Sequence, residues 1–296
     1  MNKKIDFLRL KDFSLIELHK ILAKAKELKA GLVRPQPFVG KTMAMVFEKP
    51  STRTRVSFET GFFELGGHPI FLSANDIQIG HGETIEDTAR TLSEYVDLIM
   101  IRTFAHSKIK KLAQFSTVPV INGLTDLYHP AQVLSDIYTV IEEKGRTDIR
   151  FLYIGDGSNN MANSLIDVAE IFGMKMYVAS PTDYEPHNSK NIEIVKAKDL
   201  AGLVGNMDVI YTDVWTSMGQ EDEGGERFKA LKEYQVNSLL LENAKDDIII
   251  MHCLPAHRGE EITAEILERH NSIVFKQAGN RLYVQKAIML YCMGEV

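Results

Sequence analysis

The sequence predicts an α/β protein of two similar-sized domains, each a parallel sheet flanked by helices. Three observations carry this prediction. Short apolar runs alternate with longer stretches of helical periodicity along most of the chain. The length, 296 residues, lies near the point where one core splits into two. A polar break at Lys144–Asp148 (KGRTD) interrupts the alternation, which then restarts.

The elements follow in order. From Ser14 to Val33, apolar residues recur at helical spacing (Leu15, Ile16, Leu18, Ile21, Leu22, Ala25, Leu28), and Ser14 with Glu17 forms a capping box. Thr42–Phe47 reads as a strand, and a helix from about Thr52 to Leu65 follows, with Ser51 before it. The alternation continues through strand Pro69–Leu72, helix Ile85–Tyr95, strand Leu98–Arg102, helix Lys108–Phe115, strand Val118–Asn122 and helix Ala131–Glu143. After the break come strand Arg150–Ile154 and helix Asn159–Phe172. Lys175–Ala179, Val209–Thr212 and Asp247–His252 are further strands with helical patterns between them, and Asn280–Cys292 is a closing amphipathic helix.

Charge and composition exclude several function classes. Lys and Arg total 34 against 40 Asp and Glu, so the formal charge is 34 − 40 = −6. That balance opposes nucleic-acid binding and a polybasic grip on a membrane. It leaves room for a local arginine cluster. Two cysteines, Cys253 and Cys292, are too few for a disulfide scaffold and fit a reducing cytoplasm. No apolar run approaches the roughly 20 residues of a membrane-spanning helix, and the N-terminal stretch lacks the apolar core of a secretory signal.

Ligands of parallel sheets sit beyond the carboxyl ends of the strands, so the residues that follow each strand matter most. After Thr42–Phe47, Ser51-Thr52-Arg53-Thr54-Arg55 puts three hydroxyls and two guanidiniums at a helix entrance. Exposed N–H groups, hydroxyls and arginines there form a cradle for a phosphate; the other reading is an ordinary Ser/Thr cap with two surface arginines. Arg102 ends its strand as a second anion contact or a solvated cation. His129 and Gln132 open the next helix about one turn apart, either as donors to a carbonyl oxygen or as a cap and an exposed amide.

In the second half, Gly155-Asp156-Gly157-Ser158-Asn159-Asn160 follows a strand and opens a helix. The third glycine of a dinucleotide fingerprint is replaced by Asn160, which opposes a nicotinamide cofactor. The asparagines offer neutral donors to a small polar ligand, or helix caps. Asp213 to Gln220, with the only Trp (Trp215), and Gly224-Gly225 after it suggest a mobile loop or a surface loop pinned by one aromatic. Cys253 at a strand end is a nucleophile or a buried thiol. His252 and Cys253, as strand neighbours, are expected to point to opposite faces, which opposes a zinc site.

Taken together these segments resemble the aspartate/ornithine carbamoyltransferase family over nearly the whole chain. Ser51-Thr52-Arg53-Thr54-Arg55 is similar to its carbamoyl-phosphate motif, and His129-Pro130-Ala131-Gln132 matches its H-P-x-Q motif. His252-Cys253-Leu254-Pro255 has the form of its ornithine branch, where the aspartate branch carries H-P-L-P-R. Asp213-Val214-Trp215, Ser217-Met218-Gly219 and Asn159-Asn160-Met161 resemble the amino-acid-binding segments of the same branch. Gln277-Ala278-Gly279-Asn280-Arg281 departs from the family at Gly279, usually Glu, which bears on local helix capping more than on chemistry.

The resemblance implies two α/β domains joined by interdomain helices. Residues 1–132 would bind carbamoyl phosphate, with 280–296 packing back on them, and residues 133–279 would bind ornithine. The carbamoyl-phosphate set would be Ser51, Thr52, Arg53, Thr54, Arg55, Gln78, Arg102, His129, Gln132, Cys253, Leu254 and Arg281. The ornithine set would be Asn160, Asp213, Ser217 and Met218. Among these, Arg102, His129 and Thr54 would polarise the carbonyl oxygen and Cys253 would orient the amine without a covalent bond.

The implied reaction is carbamoyl transfer from carbamoyl phosphate to ornithine, with no metal or organic cofactor. The implied assembly is a homotrimer in which a neighbour completes the phosphate pocket through the loop around Gln78. Other readings stay open: the same fold acting on putrescine or an N-acylated ornithine, a nucleotide-binding dehydrogenase, or an anion-binding regulatory protein.

Overall fold

The structure, a computed structural model, describes residues 4–31, 36–74, 77, 82–187, 190–216 and 224–296. The chain divides into two compact units: Met1–Tyr138 with Gly279–Val296, and Thr139–Ala278.

In the first unit, strands β1 (Thr42–Phe47), β2 (His68–Ser73), β3 (Leu98–Arg102) and β4 (Val120–Leu124) form a parallel sheet in the order β2-β1-β3-β4. β1, β3 and β4 are almost wholly buried, as parallel strands covered on both faces must be. Helices α1 (Leu15–Lys29), α2 (Thr52–Glu64), α3 (Ile85–Tyr95), α4 (His106–Phe115) and α5 (Pro130–Lys144) follow the strand pattern. Alternate residues of the sheet, Ala44, Val46, Ile99 and Ile101, pack against Ala89 of α3 and Ile109 and Leu112 of α4. Ser14 caps α1 with the capping box read from the sequence.

In the second unit, β5 (Arg150–Ile154), β6 (Lys175–Ala179), β7 (Ile192–Val195), β8 (Val209–Thr212) and β9 (Ile249–His252) form a parallel sheet in the order β7-β6-β5-β8-β9. Its helices are α6 (Asn160–Phe172), α7 (Ala197–Val204), α8 (Gly224–Leu231), α9 (Ala264–Arg269) and the first part of α10 (Asn271–Cys292). Leu152, Ile154, Ile210 and Ile250 share a core with Leu200 of α7, Ile266 of α9 and Val274 of α10. The division between units falls inside α5 and α10, so each helix starts in one unit and ends in the other.

Several elements differ from the sequence expectation. β4 runs two residues later than Val118–Asn122, through Gly123, where a Cβ would meet Met100 Sδ at 2.6 Å. β7 is a short, partly exposed edge strand that periodicity did not mark. α8 starts at Gly224, inside the expected loop. α10 starts at Asn271, nine residues before the expected Asn280, and passes straight through Gly279. Gly279 is therefore a helix-interior residue and has no part in a cap.

Candidate active site

The parallel registers decide which residues meet. In the first sheet, Phe47 lies opposite Arg102 and Arg102 opposite Leu124. The segments after β1, β3 and β4 therefore leave the sheet side by side. They carry Ser51–Arg55, Arg102 and His129–Gln132.

Ser51 caps α2, its hydroxyl accepting from the Thr54 N–H at 3.2 Å. The capping reading is thus true, and it coexists with a cluster of cations. Arg102 is buried at the end of β3, where the ladder shifts register. His129 is buried and Gln132 is buried one turn on, its Nε2 donating to Asp136 at 2.8 Å. Arg281, from α10, is buried as well, and its Nη2 donates to Thr54 Oγ1 at 2.8 Å.

Burial holds the His129 imidazole well below its usual range, and the guanidiniums of Arg281, Arg102 and Arg53 push it further down. Three cations thus bear on one neutral ring. Accepting from Arg281 leaves the Thr54 hydroxyl proton to be donated elsewhere.

Arg55 has partners of its own. Its Nε donates to Glu59 at 3.2 Å and its guanidinium sits 3.6 Å from the centre of the Phe71 ring. Thr52 is exposed. Ser51, Thr52 and Arg55 line a cavity of about 1140 Å³ with Phe47 and Phe71. Gln78 lies outside the described residues, as do Ser217 and Met218.

In the second sheet, Thr212 lies opposite His252, so Asp213 and Cys253 leave the sheet as neighbours. Cys253 Sγ donates to Asp213 Oδ1 at 2.9 Å, and the Val214 N–H donates to the same oxygen at 2.8 Å. Asp213 is buried, and burial pushes its carboxyl above the usual range against the hydrogen bonds that Cys253 and the Val214 N–H donate to it. Leu254, next in the chain, has φ +58°, in the left-handed region. Asn159 caps α6, its Oδ1 accepting from the Ala162 N–H at 2.8 Å, while Asn160 opens the helix half-buried.

Sequence reasoning missed three residues here, Tyr153, Arg227 and Glu261. Tyr153 is fully buried; its hydroxyl donates to the Asp156 carbonyl at 3.1 Å and accepts from Asn159 Nδ2 at 2.9 Å. Arg227 forms a buried ion pair with Asp156 at 2.6 Å and also donates to the Trp215 carbonyl. Glu261 is fully buried against His252. None of Tyr153, Arg227 or Glu261 sits in a motif, and Asp156 showed only as part of the glycine turn. Their pairings arise from tertiary contact alone.

The expectation that His252 and Cys253 point apart is not met. One possible ligand atom from each of Asp213, His252 and Cys253 lies within 4.8 Å of the others. The strand ends at His252, so its alternation no longer applies to Cys253. Both nitrogens of His252 are already hydrogen-bonded, which leaves this ring no lone pair for a metal. A second such group is His257, Glu260 and the buried Glu261. Among the described residues, no helix is long and apolar enough to cross a membrane.

Two family models match the chain. The aspartate/ornithine carbamoyltransferase carbamoyl-P binding domain covers residues 5–142, and the corresponding Asp/Orn binding domain covers residues 147–292. The chain is 51% identical to an ornithine carbamoyltransferase of Anoxybacillus flavithermus, over 96% of this chain and 95% of that protein. It is 50% identical to the Bacillus subtilis ornithine carbamoyltransferase, over 96% and 92%. The solved structure of the ornithine carbamoyltransferase from Pyrococcus furiosus superposes with a TM-score of 0.92 at 46% identity, covering 98% of this chain and 97% of that one.

Proposed function

The chain belongs to the aspartate/ornithine carbamoyltransferase family, and we propose that it transfers the carbamoyl group of carbamoyl phosphate to the side-chain amine of L-ornithine, giving L-citrulline and phosphate. The observation that carries the site assignment is the set of three guanidiniums bearing on one buried, neutral His129. A protein of charge −6 concentrates positive charge there, as a small dianion requires.

Each group has a role in acyl transfer. The neutral amine of ornithine attacks the carbamoyl carbon, a tetrahedral intermediate forms, and phosphate leaves. Arg53, with the hydroxyls and N–H groups at the start of α2, holds the phosphate and stabilises its departure. Arg102, His129 and Thr54 donate to the carbamoyl oxygen as charge builds on it, as fixed donors that need no reorganisation. Gln132 is held by Asp136 and Arg281 by Thr54, so these donors are aimed before the substrate arrives.

In the second unit, Asp213 pairs with the α-ammonium of ornithine and Asn160 binds its carboxylate. Cys253, hydrogen-bonded to Asp213, orients the amine. Ser217 and Met218 complete this set by resemblance. Arg55, Gln78 and Leu254 stay in the carbamoyl-phosphate set on the same footing. Much of the rate gain comes from holding both reactants at once.

The proposed assembly is a homotrimer. The resemblance supports it, as do Val56 and Phe63 of α2, which are 55% and 71% exposed beside the cavity. Sedimentation at three times the chain mass tests it. The proposed location is the cytoplasm, in keeping with the free thiols of Cys253 and Cys292.

The test of function is colorimetric citrulline formation from ornithine and carbamoyl phosphate. Wild type is expected to turn over and Arg53→Ala to lose at least about 100-fold in kcat while still folded. Near-normal activity of Arg53→Ala removes the phosphate assignment.

A further inference from the structure

The segment from His252 to Glu261 is closed on itself by one carboxylate oxygen. Glu261 Oε1 is 3.0 Å from His252 Nε2 and accepts from the His257 N–H at 2.6 Å. Both the His252 and Glu261 side chains are completely buried. On the other side of the ring, the Leu254 N–H donates to His252 Nδ1 at 2.8 Å. The backbone is fixed too: the His252 N–H donates to Gln277 Oε1 at 3.1 Å, and the Val236 N–H donates to the Glu261 carbonyl at 2.9 Å.

These contacts settle where the imidazole proton sits. A backbone N–H can only donate, so Nδ1 must present a lone pair. The ring proton is then on Nε2 and is donated to Glu261. The opposite tautomer, or the cation, would set two hydrogens against each other at Leu254. The Leu254 backbone, at φ +58°, is one that L-residues seldom adopt without support. Cys253 lies between His252 and Leu254, and its thiol reaches Asp213 at 2.9 Å.

We propose that His252 and Glu261 are a positioning pair: Glu261 fixes the Nε2–H tautomer of His252, whose Nδ1 holds the Leu254 turn and so presents the Cys253 thiol to Asp213. Neither residue touches substrate. Their effect reaches the reaction through Cys253 and Asp213, so its kinetic consequence rests on the amino-acid subsite assigned above.

The test has a spectroscopic, a chemical and a kinetic arm, each on the full chain. In 15N-histidine spectra, His252 is expected to show an unprotonated Nδ1 and a protonated Nε2; the reverse tautomer overturns the proposal. Iodoacetamide reports on Cys253, because Cys292 is buried and its thiol is pushed up by burial. Glu261→Ala should change the alkylation rate at least about fivefold, whereas Glu261→Gln, which still offers an acceptor, should stay within about twofold of wild type. Equal rates in all three proteins overturn the proposal.

In kinetics, Glu261→Ala should lower kcat/KM for ornithine about 30-fold, with Glu261→Gln recovering to within about fivefold. Inhibition by inorganic phosphate should move less than about twofold, since its site is in the first unit. Equal impairment of both variants, or an equal loss of phosphate affinity, overturns the proposal. If Glu261→Ala does not fold, His252→Asn, whose Oδ1 can take the place of Nδ1, should keep alkylation within about twofold, and His252→Leu should not. A wild type that makes no citrulline would refute the functional reading alone, and the first two arms would still decide the tautomer and the turn.

Discussion

Arg281 donates from Nη2 to the hydroxyl of Thr54 at 2.8 Å, joining two buried residues 227 positions apart in the chain. The contact ties the last helix to the first turn of α2, and it orients both the guanidinium and the hydroxyl proton. Thr54→Val keeps the shape and removes the acceptor. It is expected to lower kcat about 100–1000-fold and to destabilise the first unit by about 1–3 kcal/mol, because a buried hydrogen bond from a cation is lost. Thr54→Ser should keep kcat within about tenfold. Steady-state rates and denaturant midpoints check this, and a fully active Thr54→Val would contradict it.

His129 makes a prediction with a definite sign. Burial, with Arg281, Arg102 and Arg53, holds its folded pKa below the ordinary 6.5. The unfolded chain therefore binds the proton more readily. The stability contribution of the neutral ring is complete above about pH 6.5 and is lost as pH falls below it, by at most about 1.4 kcal/mol per pH unit. Denaturant midpoints of wild type and His129→Gln should diverge between pH 7.5 and 5, with the variant the flatter. Parallel curves would mean that the ring titrates normally.

Asp213 has the opposite shift, a carboxyl raised by burial. Its ionised form destabilises the empty protein above its folded pKa, and that penalty vanishes below the unfolded pKa. Asp213→Asn should therefore melt higher than wild type at pH 7.5, with the difference closing in acid. The same change should lower kcat/KM for ornithine by at least about 100-fold, since the α-ammonium loses its counter-charge. A less stable variant at neutral pH, or one that still uses ornithine normally, would contradict this assignment.

The fold was legible wherever apolar runs are continuous. β1, β3, β5 and β8 are buried on both faces, and hydrophobicity alone marks them. The edge strand Ile192–Val195 was hidden because Glu193 and its partial exposure dilute the pattern. The start of α10 was hidden by exposed Phe275 and by Gly279. Among the candidate residues read from motifs, Arg102, Asp213 and Cys253 lie at or just past strand ends and His129 lies just before α5, so within each unit the order of the sheet sets their neighbours. Arg55, in the same motif as Arg53, pairs with Glu59 and stacks on Phe71, contacts that the motif does not announce. Glu261 and Arg227 were illegible because a buried partner has no local signature.

Gly279 offers a stability test away from the chemistry. It lies in the interior of α10, exposed, and a Cβ there would meet nothing within 4 Å. Gly279→Ala is expected to stabilise the protein by about 0.5–1 kcal/mol, through lower unfolded-state entropy and better helix propensity. Thermal denaturation reads this directly. A fall in midpoint would show that the helix needs glycine at this place.

The central claim is that a cluster of guanidiniums around His129 and a carboxylate beside Cys253 serve carbamoyl transfer to ornithine. Its most direct test is an amine competition: citrulline formation measured with carbamoyl phosphate and ornithine, beside product formation from putrescine and N-acetylornithine. Turnover is expected with ornithine, and at least about 100-fold lower kcat/KM with the other two amines, because N-acetylornithine lacks the α-ammonium that Asp213 would meet and putrescine lacks the carboxylate that Asn160 would bind. Equal or better use of either competitor, or saturable phosphate binding with no citrulline formed, would contradict it.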